Sequence, residues 1–199
     1  MCQLFETIRI VEGVPQNLVF HEERMNRSRK ILFGTSNLLK LADYINVPKN
    51  PERKLERCRV VYGSSINSVD FSSYISANIR TLRLVEADSL VYDYKYSDRS
   101  QIIRLIDKLL ADDILIIKNR CVTDASYANI VFTDGKRWIT PDTPLLRGTM
   151  RESLLRKGTI KEDRITIDNL MHYNHFRLIN AMLGFEAPIL SISNIILNN

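Results

Sequence analysis

Between residues 113 and 140 three apolar runs follow one another closely, DILIIKN, NIVFTD and RWIT, and a DGK turn separates the last two. Short apolar runs bounded by turn residues read as buried strands. Asp-Gly between two of them signals a hairpin, because glycine reaches the positive φ that tight hairpin turns require. This block commits much of the second half of the chain to sheet. Before it, RSQIIRLIDKLLAD places Ile102, Ile103, Ile106, Leu109 and Leu110 on one broad face and predicts a helix. After it come a helix start near Thr149, a helix around residues 170–178 and a final strand, PILSIS.

The first half is also mixed. Alternation from Leu4 to Val11 predicts a strand closed by the turn EGVPQN, and Leu18 to Phe20 reads as a second short strand. In EERMNRSRKILF, Met25, Ser28, Ile31 and Leu32 recur at helical spacing, with Gly34 as the stop. SNLLKLADYI, with Ser36 as N-cap, predicts a second short helix. The Pro- and charge-rich stretch from Val47 to Glu56 reads as a surface connection before the strand CRVVYG. The segment from Tyr74 to Tyr96 alternates as a strand followed by an extended connector. The expected class is therefore α/β in the mixed α+β sense, in two halves: an α/β domain over 1–85 and a barrel-like α/β domain over 90–199.

Composition narrows the function. A chain of 199 residues with 45% hydrophobic and 26% charged residues can bury a core without disulfides or structural metals. No apolar run approaches the ~18 residues of a membrane span, and MCQLFETIRI lacks the pattern of a secretory leader, so no membrane partner is expected. Three scattered cysteines without CxxC, and three histidines without HExxH, predict no metal site and a cytoplasmic setting. The formal charge, 28 − 23 = +5, comes from basic residues interleaved with acids, which argues against nucleic acid as a partner.

Four segments could carry chemistry. In VYDYKYSDR, alternation puts Tyr92, Tyr94 and Tyr96 on one face and Lys95 on the other. A lysine among aromatic neighbours suits condensation with a carbonyl; the same lysine also suits a solvated edge strand. Asp124, in VTDASYAN, reads either as an acid capping a small-residue turn or as a carboxylate aimed at a cationic ring nitrogen, which would keep a pyridine protonated as an electron sink. Gly148 and Thr149 precede an apolar-periodic run, the arrangement of a phosphate-binding helix start. Arg27 could clamp a phosphate, or could face solvent paired with Glu22 or Glu23.

Taken in order, FETIR, ERMNRS, KYSDR, VTDASYANIVF, TPDTPLLRGTMR and INAMLGFEAPI resemble the class IV fold of pyridoxal-phosphate enzymes, a group that includes aminotransferases and 4-amino-4-deoxychorismate lyase. The resemblance implies a D-amino-acid-aminotransferase-like fold in shortened form, with pyridoxal 5'-phosphate between the two domains, and a homodimer. It implies that Lys95 carries the cofactor and moves protons at the substrate's α-carbon. It gives Arg27 the phosphate, in the helix where the family has its HxxRL-like arginine, and matches Gly148, Thr149 and Met150 to the helix start that binds the same group. Asn180 and Ala181 match a late loop closing over that phosphate. Asp124 stands where most members carry glutamate and would pair with the ring nitrogen, with Asn129 in the same cofactor-binding segment.

The chain departs from the family pattern at three places: Asp for Glu at position 124, arginine at position 24, and a start almost at FETIR, where members have a further N-terminal strand segment. FETIR resembles the lyases most, since Phe5 replaces a tyrosine found in D-amino-acid aminotransferases. The resemblance thus implies a small amino-acid-like substrate that loses pyruvate to give 4-aminobenzoate, with Thr7 as proton relay and Arg9 on a substrate carboxylate. An aminotransferase acting on a branched-chain or D-amino acid, and a non-catalytic member, are the alternatives.

Overall fold

The structure, a computed structural model, describes residues 3–48 and 54–197. The chain forms two compact units, Met1–Ser76 with Tyr94–Asp98, and Ala77–Asp93 with Arg99–Asn199.

The first unit is an antiparallel sheet with one helix. Strand β1 (Leu4–Val11) turns through Glu12 and Gly13, both at positive φ, into the two-residue β2 (Val14–Pro15). Helix α1 (Leu18–Phe33) follows, then β3 (Leu55–Tyr62) and β4 (Ile66–Ser73), giving the order β2-β1-β3-β4. Strand alternation sends Leu4, Ile8 and Ile10 of β1, with Cys58, Val60 and Tyr62 of β3, into a core that also takes Met25 of α1 and Leu41. Phe5, Thr7 and Arg9 point to the opposite face, paired in register with Val61, Arg59 and Arg57. The return segment joins the start of β1: the Phe5 N–H donates to the Lys95 carbonyl at 3.0 Å, and Leu4 bridges Tyr96. Tyr94 and Tyr96 pack edge to face at 5.9 Å on the same core.

Three expectations change here. Leu18–Phe20 is the first turn of α1, entered from Asn17 in the left-handed region; three apolar residues carry no period that separates strand from helix. The helix stops at Gly34, φ 65°, as expected, yet it buries His21, Arg24, Ser28 and Arg29 while Ile31 is 59% exposed. In place of a helix after Ser36 there is one 3-10 turn, Leu41–Asp43. That stretch is held extended because Arg29 donates to the Asn37 carbonyl (2.7 Å) and the Asn26 amide brackets Leu39 N–H and C=O. Of the connection expected over Val47 to Glu56, residues 49–53 lie outside the described residues, and β3 takes its last two.

The second unit holds two sheets over one core. Its elements are β5 (Leu82–Glu86), α2 (Ser100–Ile103), β6 (Asp113–Lys118), β7 (Cys121–Ala125), β8 (Asn129–Thr133), β9 (Trp138–Pro141), α3 (Thr149–Arg156), β10 (Lys161–Asp163), β11 (His175–Ile179), β12 (Leu190–Ser191) and β13 (Ile195–Ile196). One sheet has the order β13-β5-β6-β7, the other β10-β9-β8-β11-β12. Leu84, Leu115, Ile117 and Val122 of the first meet Ile130, Phe132, Phe176 and Leu178 of the second.

The helix expected over RSQIIRLIDKLLAD is only the single turn α2. Ile102 is buried but Leu109 is 94% exposed, so the periodic face has nothing to cover it. The helix expected around 170–178 is a 3-10 turn, Leu170–His172, followed by β11, whose Phe176 and Leu178 alternate inward and pair with β8. Asp124 lies inside β7, and the small-residue turn to β8 follows it at residues 126–128, closed by the Ala125 N–H donating to the Ala128 carbonyl at 2.9 Å. PILSIS contributes only β12 and part of a 3-10 turn. Among the described residues no helix is long and apolar enough to cross a membrane.

Candidate active site

In the first unit the chemistry is divided between the two faces of β1. On the core face Glu6 is fully buried and His21 and Arg24, one turn apart on α1, both reach it. His21 Nδ1 lies 2.6 Å from Glu6 Oε2, Arg24 Nε donates to Oε1 at 2.9 Å, and Arg24 Nη2 donates to Oε2. Burial alone would raise the Glu6 carboxyl, but Arg24 and then His21 outweigh it and hold it at about 2. Burial lowers His21 against the pull of Glu6. An ionised carboxylate only accepts, so the proton on Nδ1 belongs to His21, which is neutral beside a bidentate Glu6–Arg24 ion pair.

On the other face the Phe5 ring is 6% exposed and carries two cations. The Arg59 guanidinium carbon is 3.9 Å from the ring centroid and Lys95 Nζ is 4.7 Å from it. Thr7 and Arg9 share this face by alternation, and the Arg9 Nε is buried without a hydrogen-bond partner. Lys95, Thr7 and Arg9 are therefore brought to one side of one sheet, with the tyrosines flanking Lys95 turned to the core.

Arg27 is not with them; it lies on the exposed side of α1, one turn beyond Arg24. Two arginines of this helix are buried, Arg24 and Arg29, and Arg24 stands three residues after His21, in HEERM. Arg59, whose contact with Phe5 depends on cross-strand register, carries no signal in the sequence.

In the second unit Asp124, Asn129 and Gly148 form one bracket. Asp124 Oδ1 accepts from Asn129 Nδ2 at 2.7 Å and Oδ2 accepts from the Leu146 N–H at 2.9 Å. The second proton of Asn129 Nδ2 goes to the Leu146 carbonyl at 2.8 Å. Gly148, two residues on, passes so close that a Cβ there would lie 1.9 Å from Asn129 Oδ1. The loop entering α3 is thus pinned, with Thr149 buried at the helix start and Met150 packed near Val131 and Ile179. Burial pushes the Asp124 carboxyl up to about 6, partly opposed by the Leu146 N–H and Asn129. Asn180 Oδ1 accepts from the Met182 and Leu183 N–H groups at 2.9 and 2.8 Å, capping the turn that contains Ala181. Its Nδ2 reaches the Tyr127 carbonyl at 3.4 Å.

A helix start approached only by glycine can take an anion through backbone N–H groups, and a buried carboxylate can hold a cationic ring atom. Taken separately, the amine and buried guanidinium of the first unit and the helix N-terminus and buried acid of the second are each groups that can bind part of a phosphorylated carbonyl compound.

The family model for amino-transferase class IV matches residues 64–192. An uncharacterized protein of Haemophilus influenzae is 40% identical over 187 residues, covering 92% of this chain and all of the relative. The crystal structure of a "putative 4-amino-4-deoxychorismate lyase" from Haemophilus somnus superposes with a TM-score of 0.86 at 35% identity, covering 93% of this chain and 98% of that one. The pyridoxal-phosphate-bound form of a hypothetical aminotransferase from Mycobacterium tuberculosis shares the fold, with a TM-score of 0.70 at 15% identity over 98% of this chain and 81% of that one.

Proposed function

The chain belongs to the amino-transferase class IV family, and on that premise we propose that it is a pyridoxal-phosphate-dependent lyase converting 4-amino-4-deoxychorismate to 4-aminobenzoate and pyruvate. The residues fit the cofactor: Lys95 offers an amine, Arg24 and the Gly148–Thr149 helix start suit a phosphate, and Asp124 suits a ring nitrogen. When bound, pyridoxal phosphate supplies an electrophilic carbonyl and a ring that accepts the electron pair left by a departing proton.

Lys95 is the residue that holds the carbonyl and then takes the proton from the carbon beside the substrate's amine. Expulsion of the enolpyruvyl oxygen follows, and protonation of that fragment gives pyruvate as the six-membered ring becomes aromatic. The sum balances without a keto-acid acceptor. Thr7 is read as the relay returning the proton on the leaving side, and Arg9 as a contact for a substrate carboxylate. Arg24, rather than Arg27, is read as the phosphate arginine: its pairing with buried Glu6 fixes its plane. Asn129 positions the Gly148 backbone, while Met150 and the turn of Asn180 and Ala181 complete the phosphate end. A cytoplasmic homodimer belongs to the same reading, supported by the family resemblance.

The observation that carries the lyase reading is the Phe5 ring beneath Lys95. An apolar ring stands where a hydroxyl would be needed to fix an amino acid's carboxylate. The test is incubation of the holoenzyme with 4-amino-4-deoxychorismate alone. Equimolar pyruvate and 4-aminobenzoate are expected; no product without a keto acid, together with amino transfer when one is added, would contradict the reading.

A further inference from the structure

In the second unit, the end of β7, the start of β8 and the loop before α3 are closed into one ring of hydrogen bonds. Asn129 Nδ2 gives one proton to Asp124 Oδ1 at 2.7 Å and the other to the Leu146 carbonyl at 2.8 Å. The Leu146 N–H returns to Asp124 Oδ2 at 2.9 Å. Leu146 is therefore held by its N–H and its carbonyl at once. Asp124 and Asn129 are 5% and 6% exposed, so a shift that parts these groups leaves a buried donor or acceptor unpaired. Asn129 Oδ1 also fills the space that a side chain would need at Gly148, the N-cap of α3. The grip of the ring depends on the charge of Asp124, because a carboxylate accepts these bonds more strongly than a neutral acid. Burial pushes that carboxyl up to about 6, against the Leu146 N–H, Asn129 and Arg151, and a cation placed beside it favours the charged form.

We propose that Asn129 is a positioning residue that couples the ring end of the cofactor seat to its phosphate end. A cationic ring on Asp124 and an anion at the Gly148–Thr149 helix start each strengthen the binding of the other through it. The inference rests on the pyridoxal-phosphate reading and deepens it by assigning the link between an acid and a helix start that lie in the same unit. Asn129 acts through Asp124 on one side and through Leu146 and Gly148 on the other. A ring cation draws Asp124 into its charged form, which tightens the hold on Leu146 and fixes the Gly148 backbone at the head of α3. By reciprocity, an anion that fixes the same backbone favours the charged Asp124, and with it the protonated ring.

The experiment presents the full chain with the cofactor in two pieces, 5'-deoxypyridoxal and phosphite. The affinity for 5'-deoxypyridoxal is read from the lysine-dependent visible band, with and without saturating phosphite. Wild type, Asn129→Ala and Gly148→Ala are compared, and near-ultraviolet circular dichroism checks the fold of each. In wild type, phosphite should raise the affinity about fivefold or more, as for an ordinary coupling between two sites. Asn129→Ala should abolish that enhancement, and so should Gly148→Ala, whose Cβ displaces Asn129 from the other side. A residue that only supports the fold would lower both affinities and leave the enhancement as it was. No enhancement in wild type, or the same enhancement in Asn129→Ala, overturns the proposal; the second result would mean that the two pieces touch each other directly. Absence of a lysine-dependent band in wild type given intact pyridoxal 5'-phosphate is a different failure, that of the cofactor reading itself, and the proposal falls with it.

Discussion

Between β1 and α1 the first unit buries Glu6, His21, Arg24 and Arg29, whereas between its two sheets the second buries Leu84, Leu115, Ile117, Ile130, Phe132 and Phe176. Each buried ion in the first unit has its partner: Glu6 takes both Arg24 and His21, and Arg29 donates to Ser64, Asn37 and Asn26. Such an arrangement contributes little net stability, because desolvation offsets the Coulomb gain, but it penalises any other packing of α1 on the sheet. The second unit gains stability from apolar area and buries two acids, Asp113 and Asp124, and the two oxygens of Asp124 fasten the loop before α3. Polar burial thus fixes the orientation of Arg24 in the first unit, and apolar burial supports the loop that Asp124 fastens in the second.

The sharpest way to break this comparison is Glu6→Ala. It leaves a buried Arg24 uncompensated and should cost about 3–5 kcal/mol in urea unfolding, more than any conservative change in the second unit's core. Glu6 also gives the first unit an acid limb. Its carboxyl is depressed to about 2 from 4.5, so its contribution is complete above about pH 4.5 and disappears as pH falls towards 2. Stability curves of wild type and Glu6→Gln should converge across that window.

In the second unit Asp124→Asn presents a donor where two acceptors are needed, opposite either Asn129 Nδ2 or the Leu146 N–H. A loss of about 1–3 kcal/mol is expected. The pH dependence has the opposite sign to that of Glu6. A carboxyl raised to about 6 from 3.8 favours the folded state fully below 3.8, and that contribution is lost as pH rises through 6. Wild type should therefore lose stability relative to Asp124→Asn over that interval.

Gly148→Ala should cost a similar amount, because its Cβ displaces an Asn129 side chain that two hydrogen bonds hold. Combined with Asn129→Ala the two losses should be clearly less than additive, which a double-mutant cycle measures. By contrast Ile130→Val, in the apolar core, should cost only about 0.5–1.5 kcal/mol. Ile31→Ser, on the exposed side of α1, should stay within about 0.5 kcal/mol.

The same contrast explains what could be read in the sequence. Strands β1, β6, β8 and β9, the DGK turn, the Gly34 stop and the start of α3 were legible, because each carries a local signal: alternation, a short apolar run, or a turn glycine. The buried face of α1 was legible in part. Hydrophobic periodicity pointed to Met25, Ser28, Ile31 and Leu32; Met25 and Ser28 are buried while Ile31 and Leu32 are exposed, and the same face also takes His21, Arg24 and Arg29. Polar burial depends on partners such as Glu6 and Asn37 that no helical period reveals. RSQIIRLIDKLLAD failed in the other direction, since its periodic face lacks a surface to pack on. At the candidate site, Lys95 and its orientation away from Tyr94 and Tyr96 followed from alternation alone. The Asn129–Gly148 contact and the Arg59–Phe5 stack depend on cross-strand or loop registers and became visible only in three dimensions.

The measurement closest to the central claim is borohydride trapping of the protein with pyridoxal phosphate, read by peptide mass spectrometry and by the visible absorption spectrum. Wild type should show a visible band that borohydride removes, with the reduced adduct on Lys95, and Lys95→Ala should show neither. A band and adduct retained in Lys95→Ala, or an adduct on another lysine in wild type, would contradict the account.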